Sequence, residues 1–293
     1  MHANEIAVFA AHGGNSLRTW GTGSDGVTGR QLLDEAAKYG VTVALCLDLG
    51  RERHGFDYDD EEAVARQLEY ARQEVLKYKD HPALLLWIIG NELNHSYSNP
   101  RVFDAIDDIS RMIHEVDGNH PTTTALTGFS SELVATAEAR ASDLDFLSFQ
   151  LYAALDQLPQ KMKDVGYSKP FMITEWGATG HWEVVKTPWG APIEMNSSEK
   201  AQRFLQRYET VIADKPEQII GSYVFFLGQK QERTPTWYGL LLEDGSGTEA
   251  MDVMHYIWNG DWPENRAPIV NGMQLDAKNM PQVSMPSTLV GEL

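Results

Sequence analysis

Six large apolar residues, Leu84 to Ile89, run without polar relief and are followed at once by Gly90, Asn91 and Glu92. A short unbroken apolar run reads as a strand buried on both faces, as in a parallel sheet wrapped by helices. A carboxylate placed where such a strand ends opens onto the barrel mouth, where parallel α/β folds keep their chemistry. Phe171 to Gly177 repeats the design, with an apolar strand, then Glu175, then Trp176 and Gly177. Two glutamates on matching strand ends are a candidate acid/base and nucleophile pair. The plainer alternative is that each only solvates a strand terminus.

The rest of the chain alternates helix and strand. Helices are expected over Met1 to Gly13, Thr28 to Tyr39, Asp60 to Tyr78, Pro100 to Val116, Glu132 to Ala141, Leu158 to Val165, Asn196 to Ala213 and Glu249 to Trp258. Strands are expected over Asn15 to Gly21, Val41 to Leu49, the Leu84 run, Thr122 to Leu126, Asp145 to Tyr152, Phe171 to Gly177 and Ile219 to Leu227. Gly40 stands where a left-handed cap closes a helix, and Asn196 with Glu199 matches a capping box. This alternation implies a parallel sheet with outer helices. The fold class is α/β, a TIM-type (β/α) barrel that is incomplete: seven strands are visible, the pattern opens on a helix, and the first strand is the missing one. Residues 1–260 are expected to form the barrel, and 261–293 an irregular or strand-like tail.

Length and charge narrow the partners. A chain of 293 residues fits one barrel-sized domain. A net charge of −18 argues against nucleic acid, whose binding needs clustered Lys and Arg, and against an anionic membrane surface. The single cysteine, Cys46, lies in an apolar run and reads as a buried thiol, so no disulfide within the chain is available. No apolar stretch is long enough to cross a membrane and no signal-peptide pattern opens the chain. A soluble protein is expected, cytoplasmic as given and periplasmic or secreted if an N-terminal segment was removed. The histidines show no metal-ligand spacing, so neither a metal nor another cofactor is expected.

Glycine-Asn-Glu after one hydrophobic strand and Thr-Glu-Trp-Gly after a later one resemble the two signatures of the retaining β-glycosidases built on (β/α)8 barrels. The segments Gly13 to Gly21, Glu52 to Tyr58, Tyr78 to Glu92 and Ile173 to Gly177 are similar to the catalytic domain of glycoside hydrolase family 2. The resemblance runs from about residue 4 to 260. It implies that Glu92 is the acid/base, Glu175 the nucleophile, Asn91 the partner of the sugar 2-hydroxyl, Arg18 the cation beside the nucleophile and Tyr152 its hydroxyl contact. The group usually carries a tryptophan at the end of its eighth strand. This chain has Phe225, Phe226 and Leu227 there, and Trp237 in the next loop is a candidate replacement.

The chemistry explains the pairing. Retaining hydrolysis needs two carboxyls about 5–5.5 Å apart, one to bond the anomeric carbon and one to protonate the leaving oxygen. Like charges that close cannot both ionise cheaply. Glu175, beside Arg18 and Tyr152, is expected to be the anion, and Glu92, with no cation in its motif, to hold the proton. Trp20, Trp176, Trp182 and Trp237 are candidate sugar platforms with core packing as the alternative, and His54 is a candidate sugar contact or a loop hydrogen bond. The expected substrate is a β-linked oligo- or polysaccharide of β-glucan or β-galactoside type. The alternatives are a β-glucanosyltransferase and a degenerate barrel that binds glycan without cleavage. Two open strand edges are a liability, which the tail, a rearranged N-terminus or a second chain in a homodimer would cover.

Overall fold

The computed structural model describes residues 3–24 and 27–269. Seven parallel strands form one sheet: β1 (Ser16–Arg18), β2 (Thr42–Leu47), β3 (Leu84–Asn91), β4 (Thr122–Thr127), β5 (Leu147–Gln150), β6 (Phe171–Gly177) and β7 (Ile219–Phe225). They stand side by side in chain order, as expected when every crossover carries a helix and all crossovers share one hand. The crossover helices are α2 (Gly29–Lys38), α3 (Glu61–Tyr78), α4 (Arg101–Val116), α5 (Ser131–Arg140), α6 (Leu158–Val165) and α7 (Ser197–Arg207); α1 (Ala3–Ala11) precedes β1 and α8 (Glu249–Asn259) follows β7. A two-residue ribbon, Gly23–Ser24 with Val27–Thr28, lies between β1 and α2. The fold is a TIM-type barrel of seven strands with the first one missing.

The strands divide the apolar residues between two cores by simple alternation. Ala44 and Cys46 of β2, Leu86 and Ile88 of β3, Ala125 of β4, Met172 of β6 and Tyr223 of β7 pack together inside the barrel. Their neighbours Leu45, Leu47, Trp87, Ile89, Leu126 and Ile173 join the larger core between sheet and helices. Burial holds the Cys46 thiol up at about 12, so it is inert packing rather than a nucleophile.

The helix ends follow their local chemistry. Asn196 accepts from the Glu199 amide while the Glu199 side chain accepts from the Asn196 amide, the reciprocal cap anticipated from the residues. Thr28 and Gln31 cap α2 in the same way. Gly40 takes φ +67° just beyond that helix, a backbone shape that costs a glycine nothing. The helix expected to run to Ala213 instead leaves the α form after Arg207 and continues as a π turn, Tyr208–Ile212.

The missing strand leaves a seam. No ladder joins β1 to β7, yet some of their Cα atoms come within 8 Å, less than the roughly 9–10 Å that two strand spacings would occupy. The edges are joined by one side-chain hydrogen bond, Ser16 Oγ to the Tyr223 hydroxyl at 2.8 Å. Behind it lies a cavity of about 330 Å³ that reaches from Ile220 to Glu175. On the outside α1 and α8 close over the gap: Phe9 meets Trp258 edge to face, and the Asn259 amide donates to the His12 carbonyl. The expected tail is described only at its start, where Trp262 stacks on Tyr256 and the Ala267 amide donates to Asp252 on α8. Residues 270–293, offered from sequence as a cover for the gap, lie outside the described residues. No helix among the described residues is long and apolar enough to cross a membrane.

Candidate active site

The strand ends that carry polar side chains are also where the ladders lose regularity. Register shifts occur between Ile88 and Asn91, between Phe149 and Gln150, and between Ile173 and Trp176. Such bulges re-aim side chains next to functional sites. At Gly90 the backbone takes φ +75°, and a Cβ there would come within 2.5 Å of Leu93. Only glycine fits, and the turn it permits separates Asn91 from the buried run before it.

Glu92 follows in a left-handed conformation, φ +51°, a shape that costs a non-glycine residue about 1–3 kcal/mol unless its surroundings fix it. Here they do. The Glu92 amide donates to the Ala125 carbonyl at 2.8 Å, and Arg53 donates to the Glu92 carbonyl at 2.7 Å. Arg51 holds the carbonyl of Asn91 at 3.2 Å. Both arginines come from the short 3-10 turn after β2 and its approach.

Glu175, at the end of β6, receives four side-chain donors. Arg18 Nη1 at 2.5 Å, Trp20 Nε1 at 3.0 Å and Gln150 Nε2 at 3.0 Å all reach Oε1. The Tyr152 hydroxyl reaches Oε2 at 2.8 Å. Arg18 also donates to Asn91 Oδ1, and Gln150 Nε2 donates to the same oxygen at 2.8 Å. The ends of β1, β3, β5 and β6 are thereby tied into one polar web.

The electrostatics of the two carboxyls differ. Burial first, and then the negative charge of Glu175, push Glu92 above the usual carboxylate range, while Arg53 opposes the shift. The expectation that Glu92 has no cation holds for its own motif but not in space, because Arg53 Nη2 stands 3.8 Å from Glu92 Oε2. Burial and Glu175 also hold the Tyr152 phenol far above its ordinary value, so it stays a donor at neutral pH.

Of the residues singled out from sequence, Glu92, Glu175, Asn91, Arg18, Tyr152 and Trp20 come together here. Trp182 stands beside them, its ring edge to face with Tyr152 at 5.3 Å and 53% exposed. Trp176 does not join them. It is fully buried and packs outward on Phe204 and Tyr208, because it follows Glu175 directly and successive strand residues face opposite sides. Trp237 is no exposed platform either: it is 2% exposed and its Nε1 donates to the Thr179 carbonyl. His54 lies exposed at the end of the 3-10 turn, and among the described residues no hydrogen bond links its ring to either glutamate. The aromatic beside the nucleophile is Trp20, stacked on Phe226 and edge to face with Phe225.

Gln150 and Arg53 escaped the reading of the sequence. A signal for Gln150 was present: it precedes Tyr152 by two, as Arg18 precedes Trp20, and i, i+2 residues share a face. Arg53 carries no such mark, because only the folding of its turn brings it to Glu92. Among the described residues no group of three His, Cys, Asp or Glu side chains is placed to hold a metal ion.

A seven-stranded (β/α) barrel with a buried, hydrogen-bonded carboxyl and a second glutamate at the carboxyl ends of its strands belongs with the barrel hydrolases in its architecture. Residues 8–236 match the glycosyl hydrolases family 2 TIM barrel domain, and the chain belongs to that family. No curated protein matches it. Among solved structures it is similar to a β-D-glucuronidase from Dictyoglomus thermophilum (15% identity, TM-score 0.66, covering 89% of this chain and 47% of that one). It is also similar to a family 2 β-galacturonidase from Eisenbergiella tayi bound to galacturonate (18%, 0.64, 88% and 46%). A third is the Bifidobacterium dentium β-glucuronidase complexed with coumarin-3-O-glucuronide (17%, 0.67, 89% and 43%). The chain spans less than half the length of each. At these identities the likeness is one of fold.

Proposed function

We propose that the chain is a β-glycosidase acting by double displacement with retention, with Glu175 as nucleophile and Glu92 as acid/base. The observation that carries this reading is the four-donor cradle around Glu175, opposite a glutamate whose proton is held by burial and by that same carboxylate. Oε1 of Glu175 accepts three donors, whereas Oε2 has only the Tyr152 hydroxyl. Oε2 is therefore the oxygen that attacks the anomeric carbon. As that bond forms, the glycosidic bond breaks and its oxygen takes the proton of Glu92. Once Glu175 is esterified its charge is gone, the affinity of Glu92 for a proton falls, and Glu92 takes a proton from the incoming water. Water then attacks the same carbon and returns Glu175 as a carboxylate. Asn91 serves the 2-hydroxyl, and Trp20 and Trp182 offer aromatic faces to the apolar side of a pyranose.

The substrates in this reading are β-linked oligosaccharides of glucan or galactoside type. The uronides named for the similar structures join the panel because the fold is shared. Residues 1–260 are the catalytic barrel and 261–293 a tail, whose start lies against α8. The unpaired edges at the seam support a homodimer as part of the same reading, and a clean monomer by light scattering at micromolar concentration removes that part.

The test is a panel of aryl β-glycosides with NMR of the first product. Retained configuration, loss of turnover in Glu175→Ala and partial recovery with azide are expected. Turnover unchanged in Glu175→Ala rejects the assignment. Products longer than the starting sugar would make the enzyme a transglycosylase. The seam favours one second reading, a barrel that binds glycan without cleaving it, which predicts sugar binding with no turnover across the panel.

A further inference from the structure

We infer that Gln150 is a positioning residue that fixes which end of the Asn91 amide faces the sugar. The identity of the sugar rests on the proposed glycosidase reading, and the geometry on hydrogen-bond polarity alone. A guanidinium has donors and no acceptor. Arg18 Nη2 meets the Asn91 side chain, so the atom facing it is Oδ1. Gln150 faces both that oxygen and Glu175 Oε1. Both are acceptors, so the Gln150 atom between them is Nε2. One cation thus dictates the orientation of two amides in series.

The consequence lies at the far end of Asn91. With Oδ1 holding two donors, Nδ2 is turned away from Arg18 and Gln150 and is left to donate to a ligand oxygen. An asparagine held by one partner alone would keep freedom about its last torsion, which is a soft one. Gln150 removes that freedom and ties the amide plane to the carboxylate that attacks.

The cost of this arrangement supports the assignment. Gln150 is 3% exposed, and its Oε1 is buried with no hydrogen-bond partner among the described residues. A buried amide oxygen without a partner is unfavourable, and an apolar side chain of similar length would avoid it. The residue sits on the β5 end directly across the ladder from Glu175, so its place is set by the strand pair and not by a mobile loop.

Three measurements test the inference. Gln150→Met is expected to fold at least as stably as the wild type. It should lose about 10- to 100-fold in kcat/KM on an aryl glycoside carrying its 2-hydroxyl, and less than about threefold on the 2-deoxy analogue. Equal losses on both substrates, or none, overturn it. Gln150→Glu offers a donor to Asn91 only when that side chain is protonated, so its activity relative to wild type should rise as the pH falls. A flat ratio overturns it. The third readout needs no turnover: ¹⁵N relaxation of the Asn91 side-chain amide should report a rigid group in the wild type and a mobile one in Gln150→Met, and unchanged rigidity overturns the inference. Wild-type protein inactive on every glycoside would sink the glycosidase reading, while the relaxation result would still decide the role of Gln150.

Discussion

The mouth of the barrel and its seam are built by opposite means. At the mouth the ends of four strands, three of them with a shifted register, spend their polar side chains on one another, so that Arg18, Asn91, Gln150, Tyr152 and Glu175 form a single web. At the seam the open edges of β1 and β7 pair with no strand among the described residues; Ser16 and Tyr223 join them by a hydrogen bond in front of a cavity. One region is over-determined and the other under-determined, within a few residues of each other, since Arg18 ends the strand that Ser16 begins. The difference teaches that loss of a strand need not erase the site. The residues that cradle Glu175 come from the ends of β1 and β5 and the residues just beyond them, and the absent strand would have stood on the far side of β1.

The largest effect should come from the web itself. Glu175→Gln keeps the side chain's size but removes the nucleophile and leaves the Arg18 charge without its counter-ion. Turnover of aryl β-glycosides is expected to fall on the order of 10⁴-fold, and melting should show a loss of stability because a buried cation is left unpaired. Retained turnover would remove the web from catalysis. Tyr152→Phe comes next: it takes one donor from Oε2 and should cost about 10- to 100-fold in kcat with KM less affected. A change confined to KM would make Tyr152 a binding residue only.

The seam should respond in stability and not in chemistry. Tyr223→Phe removes the hydrogen bond between Ser16 and Tyr223 that joins the two edges, and denaturant unfolding is expected to lose about 1 kcal/mol, with kcat within about twofold of wild type. If activity falls in step with stability, the two regions are coupled through β1 and the contrast drawn between them fails.

Much of this was legible in the residues, and the reason is periodicity. The Leu84 and Phe171 runs could only be buried strands, so Asn91, Glu92 and Glu175 were placed by what precedes them. Arg18 with Trp20, and Tyr152, were legible as strand-end residues. What could not be read were contacts set by turns. Trp176 and Trp237 looked like Trp20 in sequence, yet one alternates to the helix side and the other is drawn under the loop by the Thr179 carbonyl. Arg53 reaches Glu92 only through the 3-10 turn. The missing strand was countable, but not that the barrel would draw its edges to within 8 Å and cover them with α1 and α8.

Glu92 offers the finest probe of the mouth. Its proton affinity is raised in the folded protein, chiefly by burial and next by Glu175, so the folded state binds that proton more tightly than the unfolded chain does. By linkage the group favours folding below its unfolded value, and this contribution is lost as the pH rises through the raised one. Two outcomes follow. The alkaline limb of kcat/KM should lie above the ordinary glutamate range, since activity needs Glu92 protonated. Glu92→Gln should abolish hydrolysis of unactivated glycosides yet melt higher than wild type at neutral pH, by about 2–4 °C for each kcal/mol relieved. That excess should vanish in acid, where the wild-type carboxyl is neutral too. A melting difference that stays constant from acid to neutral pH would mean that the ionised carboxyl carries no penalty, and that Arg53 at 3.8 Å compensates what burial and Glu175 impose.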